Sequence, residues 1–286
     1  MFETIGRSFR LLKLCLHVLA VDKELILFPV FSSIGVILVT LSFLGVSFGI
    51  GAFERLDEGT SSVADYALLF AFYVASYFII IFFNSALVFA AHERLAGGDP
   101  NIRSGLNGAF HRVITILKWA VIAATVGLIL RILAGQARER GGIIGIIGHI
   151  VVQLLGAAWT MVTFFVVPLI VIEHLSLGDA FKKSLSMLRR TWGEQIVANF
   201  GLGIAGLLVG LVAVLVCVAL IALLSLLGTF GIVLGIVISI ALLVGVALVF
   251  ATLDGIFKAA LYNYASDGQV PTLFPDDVVR NAFRQS

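Results

Sequence analysis

The chain has 286 residues, of which 60% are hydrophobic and only 13% charged, and its formal net charge is +2. A soluble domain carries roughly 25% charge, so this composition excludes an ordinary water-soluble globule. Near-neutrality, with no basic stretch interleaved with aromatics, also argues against a nucleic-acid-binding surface.

In chain order, a mixed-charge segment of 1–24 precedes the first apolar run, Leu25–Ile50. That run exceeds the roughly 7–15-residue core of a secretory leader, so it is expected to remain as a span. Four more follow at Tyr66–Ala91, Ile114–Ala134, Ile143–Ile172 and Ile196–Leu227. A sixth, Phe230–Leu253, comes after a hinge at Gly228-Thr229. A helix needs roughly 20 apolar residues to cross a hydrocarbon slab about 30 Å thick, and each run meets that length. The expectation is an all-α polytopic membrane protein with six transmembrane helices. The intervening pieces are too short to bury cores of their own. Residues 1–268 are therefore expected to form a single membrane domain and 269–286 a short tail. Within that tail, Pro275–Phe283 reads as an Asp-capped amphipathic helix that docks through Val279 and Phe283.

Charge sets the orientation. With the amino terminus inside, the tail and alternate loops carry 15 of the 19 Lys and Arg residues, and only Arg55, Arg131, Arg138 and Arg140 lie outside. Basic residues resist translocation, so both termini are expected in the cytoplasm and the chain in the cell (inner) membrane as a multi-pass protein. Trp119, Trp192 and Tyr66, near run boundaries, are expected as headgroup anchors.

A basic amphipathic stretch precedes each pair of runs: Ile5–Leu12, Leu106–Val113 and Ala180–Met187. Phe181, Leu185 and Leu188 give the third an apolar stripe, as in a helix lying among anionic headgroups. Gly-Asp pairs after the even runs supply helix stops and caps. The pattern predicts three repeats of interfacial helix plus transmembrane hairpin, over about 1–98, 99–177 and 178–254.

Phe181-Lys182-Lys183-Ser184, Trp192-Gly193 and Val167-Pro168 carry a resemblance. With these motifs the chain resembles a group of six-span bacterial and archaeal membrane proteins of unknown function. It is similar in pattern to the membrane domain found ahead of some glycerophosphodiester phosphodiesterases. The resemblance implies a fold and a membrane location, and no room remains for the catalytic barrel of a phosphodiesterase.

Two polar sets bear on chemistry. His92, Glu93, Glu173 and His174 lie at the inner ends of even runs and are metal-ligand types, with Asp254 and Lys258 nearby in the last repeat. Neighbours on a helix point about 100° apart, so His92 and Glu93 do not readily face one ion. The structural alternative is helix-end capping, with Asp254 and Lys258 an i,i+4 pair. Asn84, Gln153 and Asn199 sit deeper and suit either interhelical hydrogen bonds or a solute path. Pro168 is expected to kink the fourth span. Gly203, Gly206 and Gly210, with Gly231 and Gly235, suit close helix approach, in a tight hairpin or between copies. Cys15 and Cys217 read as two packed thiols. No phosphate loop, HExxH or nucleophile elbow is visible, and no cofactor is implied.

These readings favour a non-enzymatic, lipid-interacting or partner-binding membrane component. Its expected partners are membrane lipids, through anionic headgroups at the cytoplasmic face, and a second copy or another membrane protein. A small-solute or lipid transporter is the first alternative, and a membrane-embedded metal-dependent enzyme the second.

Overall fold

A computed structural model describes residues 2–60, 62–139 and 141–267. Among these the chain is helical without strands. Its α-helices are α1 (Phe2–Val21), α2 (Leu27–Gly49), α3 (Ala52–Asp57), α4 (Val63–Leu95), α5 (Ile102–Phe110), α6 (Val113–Glu139), α7 (Gly142–Val162), α8 (Val166–Val171), α9 (Leu177–Leu224) and α10 (Gly228–Asp267). Single 3₁₀ turns at Lys23–Ile26 and Ser225–Leu227 precede α2 and α10. The tail beyond Asp267, with its expected amphipathic helix, lies outside the described residues.

Among the described residues, five helical segments are long and apolar enough to cross a bilayer: Lys23–Gly49, Val63–Leu95, Val113–Glu139, Ile144–Val171 and Gly206–Asn263. They turn apolar side chains outward. Only 6% of the most apolar stretch of Val63–Leu95 is buried, and Leu41 and Phe48 on α2 are 61% and 72% exposed. Water would not tolerate such a surface, whereas hydrocarbon requires it, so the chain fits a membrane protein.

Internal contacts divide the chain into two compact units. One comprises residues 30–89 and 103–189. Here α2 and α4 run antiparallel: Phe31 meets Phe83, Gly35 approaches Ile79, and Phe43 meets Phe72. Short α5 lies close on α4 because its inner face is Gly105, Gly108 and Ala109. A Cβ at Gly108 would fall 2.4 Å from the Phe89 ring. Helices α6 and α7 pack antiparallel, with Gly148 against Ala137 and Gly156 near Leu130.

Trp119 corrects the expectation of a headgroup anchor. It is buried in this unit and stacks on Trp159 at 5.7 Å, which in turn lies 6.3 Å from Phe181. Trp159 is on α7 and Phe181 on α9, so two apolar rings in reach outweigh an indole N–H that prefers the interface. Tyr66 is exposed, as an anchor would be, and the Trp192 side chain lies outside the described residues.

The other unit comprises residues 1–29, 90–102 and 190–286. Here α1 packs against α10, and α9 and α10 form the expected hairpin. Gly228, at φ 73°, turns the chain, so the 58-residue apolar segment Gly206–Asn263 doubles back on itself. Its arms match in antiparallel register: Gly231 with Leu224, Gly235 with Ile221, Cys217 with Ser239, and Gly206 with Phe250. The two glycine stripes do not face each other, because one lies near the turn and the other at the far end.

One expected boundary also moves. The stretch Ala180–Met187 and the run Ile196–Leu227 were expected as separate helices, yet α9 is helical throughout its 48 residues. One internal glycine costs a helix only about 1 kcal/mol against alanine, so it does not by itself break a run. The three pre-span stretches accordingly take different forms: twenty residues of α1, nine of α5, and the beginning of α9.

The hairpin yields a paired test. A methyl at Gly231 would lie 1.8 Å from the Leu224 carbonyl oxygen, whereas nothing lies within 4 Å of one at Gly210. Gly231→Ala is expected to destabilise the detergent-solubilised protein by about 1–3 kcal/mol through forced backbone movement. Gly210→Ala is expected to be neutral or slightly stabilising. Thermal unfolding of both variants, followed by circular dichroism, checks this.

Candidate functional site

The polar residues gather where helices end or break, and each unit has its own cluster. In the unit containing α10, the end of α4 is closed by a Schellman turn. Gly98 N–H donates to Glu93 O at 2.9 Å and Gly97 N–H to Arg94 O at 3.0 Å, with Gly97 at φ 87°. This turn presents His92, Glu93 and Arg94 from successive positions. Arg94 reaches Asp22 through Nε and Nη2, both at 3.2 Å, and Asp99 through Nη2 at 2.7 Å. Asp22 is buried at the break between α1 and the 3₁₀ turn, so Arg94 neutralises a carboxylate that burial would otherwise penalise. Asp99 therefore serves as an ion-pair partner. The neighbouring Glu24 accepts from the N–H of Ile102, the first residue of α5, at 3.2 Å.

His92 Nδ1 lies 2.6 Å from Asn263 Oδ1, with its ring edge-on to Tyr262 at 6.1 Å. On α10, Lys258 and Asp254 form the expected i,i+4 pair at 2.6 Å. One Glu93 carboxylate oxygen is buried without a hydrogen-bond partner. On α1, Cys15 is buried, and burial, then the Asp254 charge, push its thiol up to about 12. Both cysteines are free and buried, as packed thiols should be.

In the other unit the cluster surrounds the end of α8. Glu173 pairs with Lys183 at 2.5 Å. His174 adopts φ 58°, a left-handed conformation unusual for a non-glycine residue. Arg112 holds it there, donating through Nε to His174 Nδ1 at 3.1 Å and through Nη2 to the His174 carbonyl. Nδ1 is thus an acceptor, which leaves the ring proton on Nε2. Ser176, rather than Asp179, caps α9. Its hydroxyl accepts from Asp179 N–H at 3.3 Å and donates to the Asp179 carboxylate at 2.6 Å.

Ser184 has the most exacting position in this unit. Pro168 has no N–H, and the helix breaks just before it, over 163–165, between α7 and α8. Phe165 N–H and Val162 O have lost their helical partners there. The buried Ser184 hydroxyl bridges them, accepting from Phe165 N–H at 3.3 Å and donating to Val162 O at 2.6 Å. At the opposite end of the α2–α4 hairpin, Asp65 is also buried and saturated. It accepts from Arg55 Nε at 3.0 Å and Nη2 at 2.5 Å, and from Ser62 N–H and Oγ, both at 2.8 Å.

The ligand-type residues are thus committed separately, His92 to Asn263, Glu173 to Lys183 and His174 to Arg112. Among the described residues no group of three or more His, Cys, Asp or Glu side chains is placed to hold a metal ion. Asn84 is half-buried in α4, Gln153 is exposed on α7, and the Asn199 side chain lies outside the described residues. Sequence reasoning missed the Asp22–Arg94 and Asp65–Arg55 pairs. The available signal was an acid at each end of an apolar run, opposite an arginine that flanks the same hairpin. It had Ser184 only as part of a short motif.

The profile of a family of unknown function, DUF6159, matches residues 63–272. The chain belongs to that family. The match runs from the start of α4 past the end of α10 and so includes both polar clusters in large part. It adds nothing to the likeness with phosphodiesterase membrane domains. No curated protein and no solved structure matches the chain.

Two tests follow from these geometries. Ser184→Ala orphans a buried donor and acceptor together and is expected to lower stability by about 1–3 kcal/mol. Lys182→Ala, exposed one turn-face away, is expected to leave the melting temperature unchanged. Separately, a thiol displaced to about 12 leaves roughly one part in ten thousand as thiolate at pH 8. Cys15 is therefore expected to resist maleimide in native micelles from pH 6 to 9 and to react once the protein is unfolded in detergent, as mass spectrometry would show.

Proposed function

We propose that this DUF6159 member is a non-enzymatic integral membrane component that crosses the cell membrane six times, with both termini and its basic loops in the cytoplasm. The fifth and sixth crossings are the two arms of the hairpin folded at Gly228. From that turn back to Gly206 the first arm is about 33 Å long at 1.5 Å per residue, enough for a hydrocarbon core. Its role is carried by surface, namely basic loops against anionic headgroups and apolar helix faces toward lipid or a membrane partner.

The observation that carries this reading is how charge is distributed between pairs and exposed positions. Arg94 with Asp22 and Asp99, Arg55 with Asp65, and Lys183 with Glu173 are spent on holding helix ends together, and Lys258 with Asp254 pairs within α10. Lys13, Lys23, Arg103, Lys118, Lys182 and Arg189 are exposed and outside any ion pair among the described residues. All six fall on segments that the charge bias assigns to the cytoplasm, against two such residues, Arg131 and Arg138, on the opposite side. Each basic residue near an anionic leaflet contributes about 1 kcal/mol of attraction, so a recurring set supports headgroup binding.

Topology is the decisive measurement. Single cysteines at Glu58 and Lys182, in a background with Cys15 and Cys217 replaced by serine, would be probed with a membrane-impermeant maleimide. Glu58→Cys is expected to label in intact cells and Lys182→Cys only after permeabilisation. The reverse pattern overturns the orientation and, with it, the headgroup reading.

A further inference from the structure

Between the last turns of α2, short α3 and the first turns of α4 lies a cavity of about 240 Å³. Phe43, Leu44, Phe53, Leu68, Leu69 and Phe72 form its walls. We infer that this cavity is a binding site for one acyl chain of a bilayer phospholipid. The inference goes beyond the function proposed above, since it concerns the other end of the hairpin and invokes no headgroup charge.

Three observations lead there. First, Leu44 and Leu69 belong both to the wall and to the exposed surface, so the cavity opens sideways on the face that hydrocarbon covers. Second, water is a poor occupant. A buried water needs two to four polar partners. The polar lining is confined to Thr40, Ser47, Asp65 and Tyr66. The Thr40 hydroxyl already donates to Val36 O at 2.8 Å. Asp65 already accepts four hydrogen bonds from Arg55 and Ser62, which leaves the Ser47 and Tyr66 hydroxyls as partners for a space several waters in volume. Third, the space exceeds the roughly 150 Å³ at which a dry apolar cavity takes up a benzene ring. In a membrane the apolar molecule at hand is a lipid chain.

Saturation of the ion pair also defines selectivity. Arg55 gives Nε and Nη2 to Asp65 and Nη1 to Ile50 O at 2.6 Å. Arg55 itself is not part of the cavity lining, so the site selects a hydrocarbon tail and is indifferent to the headgroup. The Phe43–Phe72 contact, with ring centroids 5.6 Å apart, gives the tail an aromatic wall.

The test uses the full chain in vesicles of phosphatidylcholine or of phosphatidylglycerol, each doped with the same phospholipid carrying a diazirine near the end of one acyl chain. After photolysis, adducts are mapped by peptide mass spectrometry. Adducts on 40–53 and 65–72 are expected at about threefold or more the per-residue yield on the exposed face of α10 near Val237 and Ile240, as a pocket retains its ligand longer than an annulus does. The yield is expected to be equal with both headgroups. Ser47→Trp and Thr40→Leu, which fill the cavity from its two ends, are expected to remove the excess without lowering the melting temperature. No excess in the unaltered protein overturns the inference, whatever the variants do. So does an excess that survives a folded filling variant. An excess seen only with phosphatidylglycerol would instead assign the contact to headgroup attraction and overturn it too. Failure of the maleimide test leaves this result standing, so the two readings fail separately.

Discussion

A bilayer core offers a backbone N–H or C=O nothing to bond to, so each such group must find its partner within the chain. The cost of failure is felt most where a helix stops or breaks. At the break between α7 and α8, one hydroxyl on α9 closes the circuit, with Ser184 accepting from Phe165 N–H and donating to Val162 O. A serine does this because its hydroxyl is both donor and acceptor and small enough to be fully buried. At the end of α4, Gly97 and Gly98 do the same with backbone alone. At the end of α2, Arg55 Nη1 takes up the Ile50 carbonyl.

The same constraint governs charge. Asp22 and Asp65 are both buried acids at helix boundaries, and each is met by one arginine from a segment adjacent in space. A planar guanidinium fans its donors outward, so Arg94 serves two carboxylates and Arg55 serves a carboxylate and a carbonyl. Lysine, with one charged nitrogen, appears where a single acid is to be met, as at Glu173 and Asp254. Removal of either arginine would leave a buried acid without its partner charge, the condition in which breaking a pair is far worse than never forming it.

The broad layout was legible because hydropathy reports the solvent directly. The first four apolar runs foretold their helical segments to within about five residues, whereas α9 begins well before the fifth run and α10 continues 14 residues past the sixth. Gly228 and the i,i+4 pair on α10 were legible too, since turn chemistry and helix periodicity are local. Trp119 was misread because an aromatic near a boundary serves an interface or a stack equally well, and only Trp159, forty residues away, decides. Ser176 and Asp179 both suit a cap, and the backbone geometry chooses between them. Ser184 and the cavity behind Phe43 were out of reach for a common reason. Each is defined by what lies opposite, and hydropathy carries no record of partners.

Helix α10 shows two surroundings along one helix. Its first half touches α9 along one stripe, Gly231, Gly235 and Ser239, four residues apart, and leaves Val233, Val237 and Ile240 exposed. Its second half is buried at Leu253, Ile256, Phe257, Ala259 and Leu261, where α1 packs against the same helix. The first half is almost wholly apolar and meets lipid on most of its circumference, whereas the second carries Asp254, Lys258 and Asn263 and meets protein. Glycine closes the hairpin at its turn, while near Gly203, Gly206 and Gly210 the arms leave a groove that ends at Asp254. A helix pair zipped so tightly along its whole length would hold its arms too close for side chains as large as Phe250 to pack against Gly206. The change of helix spacing along one hairpin is therefore set by side-chain size, position by position.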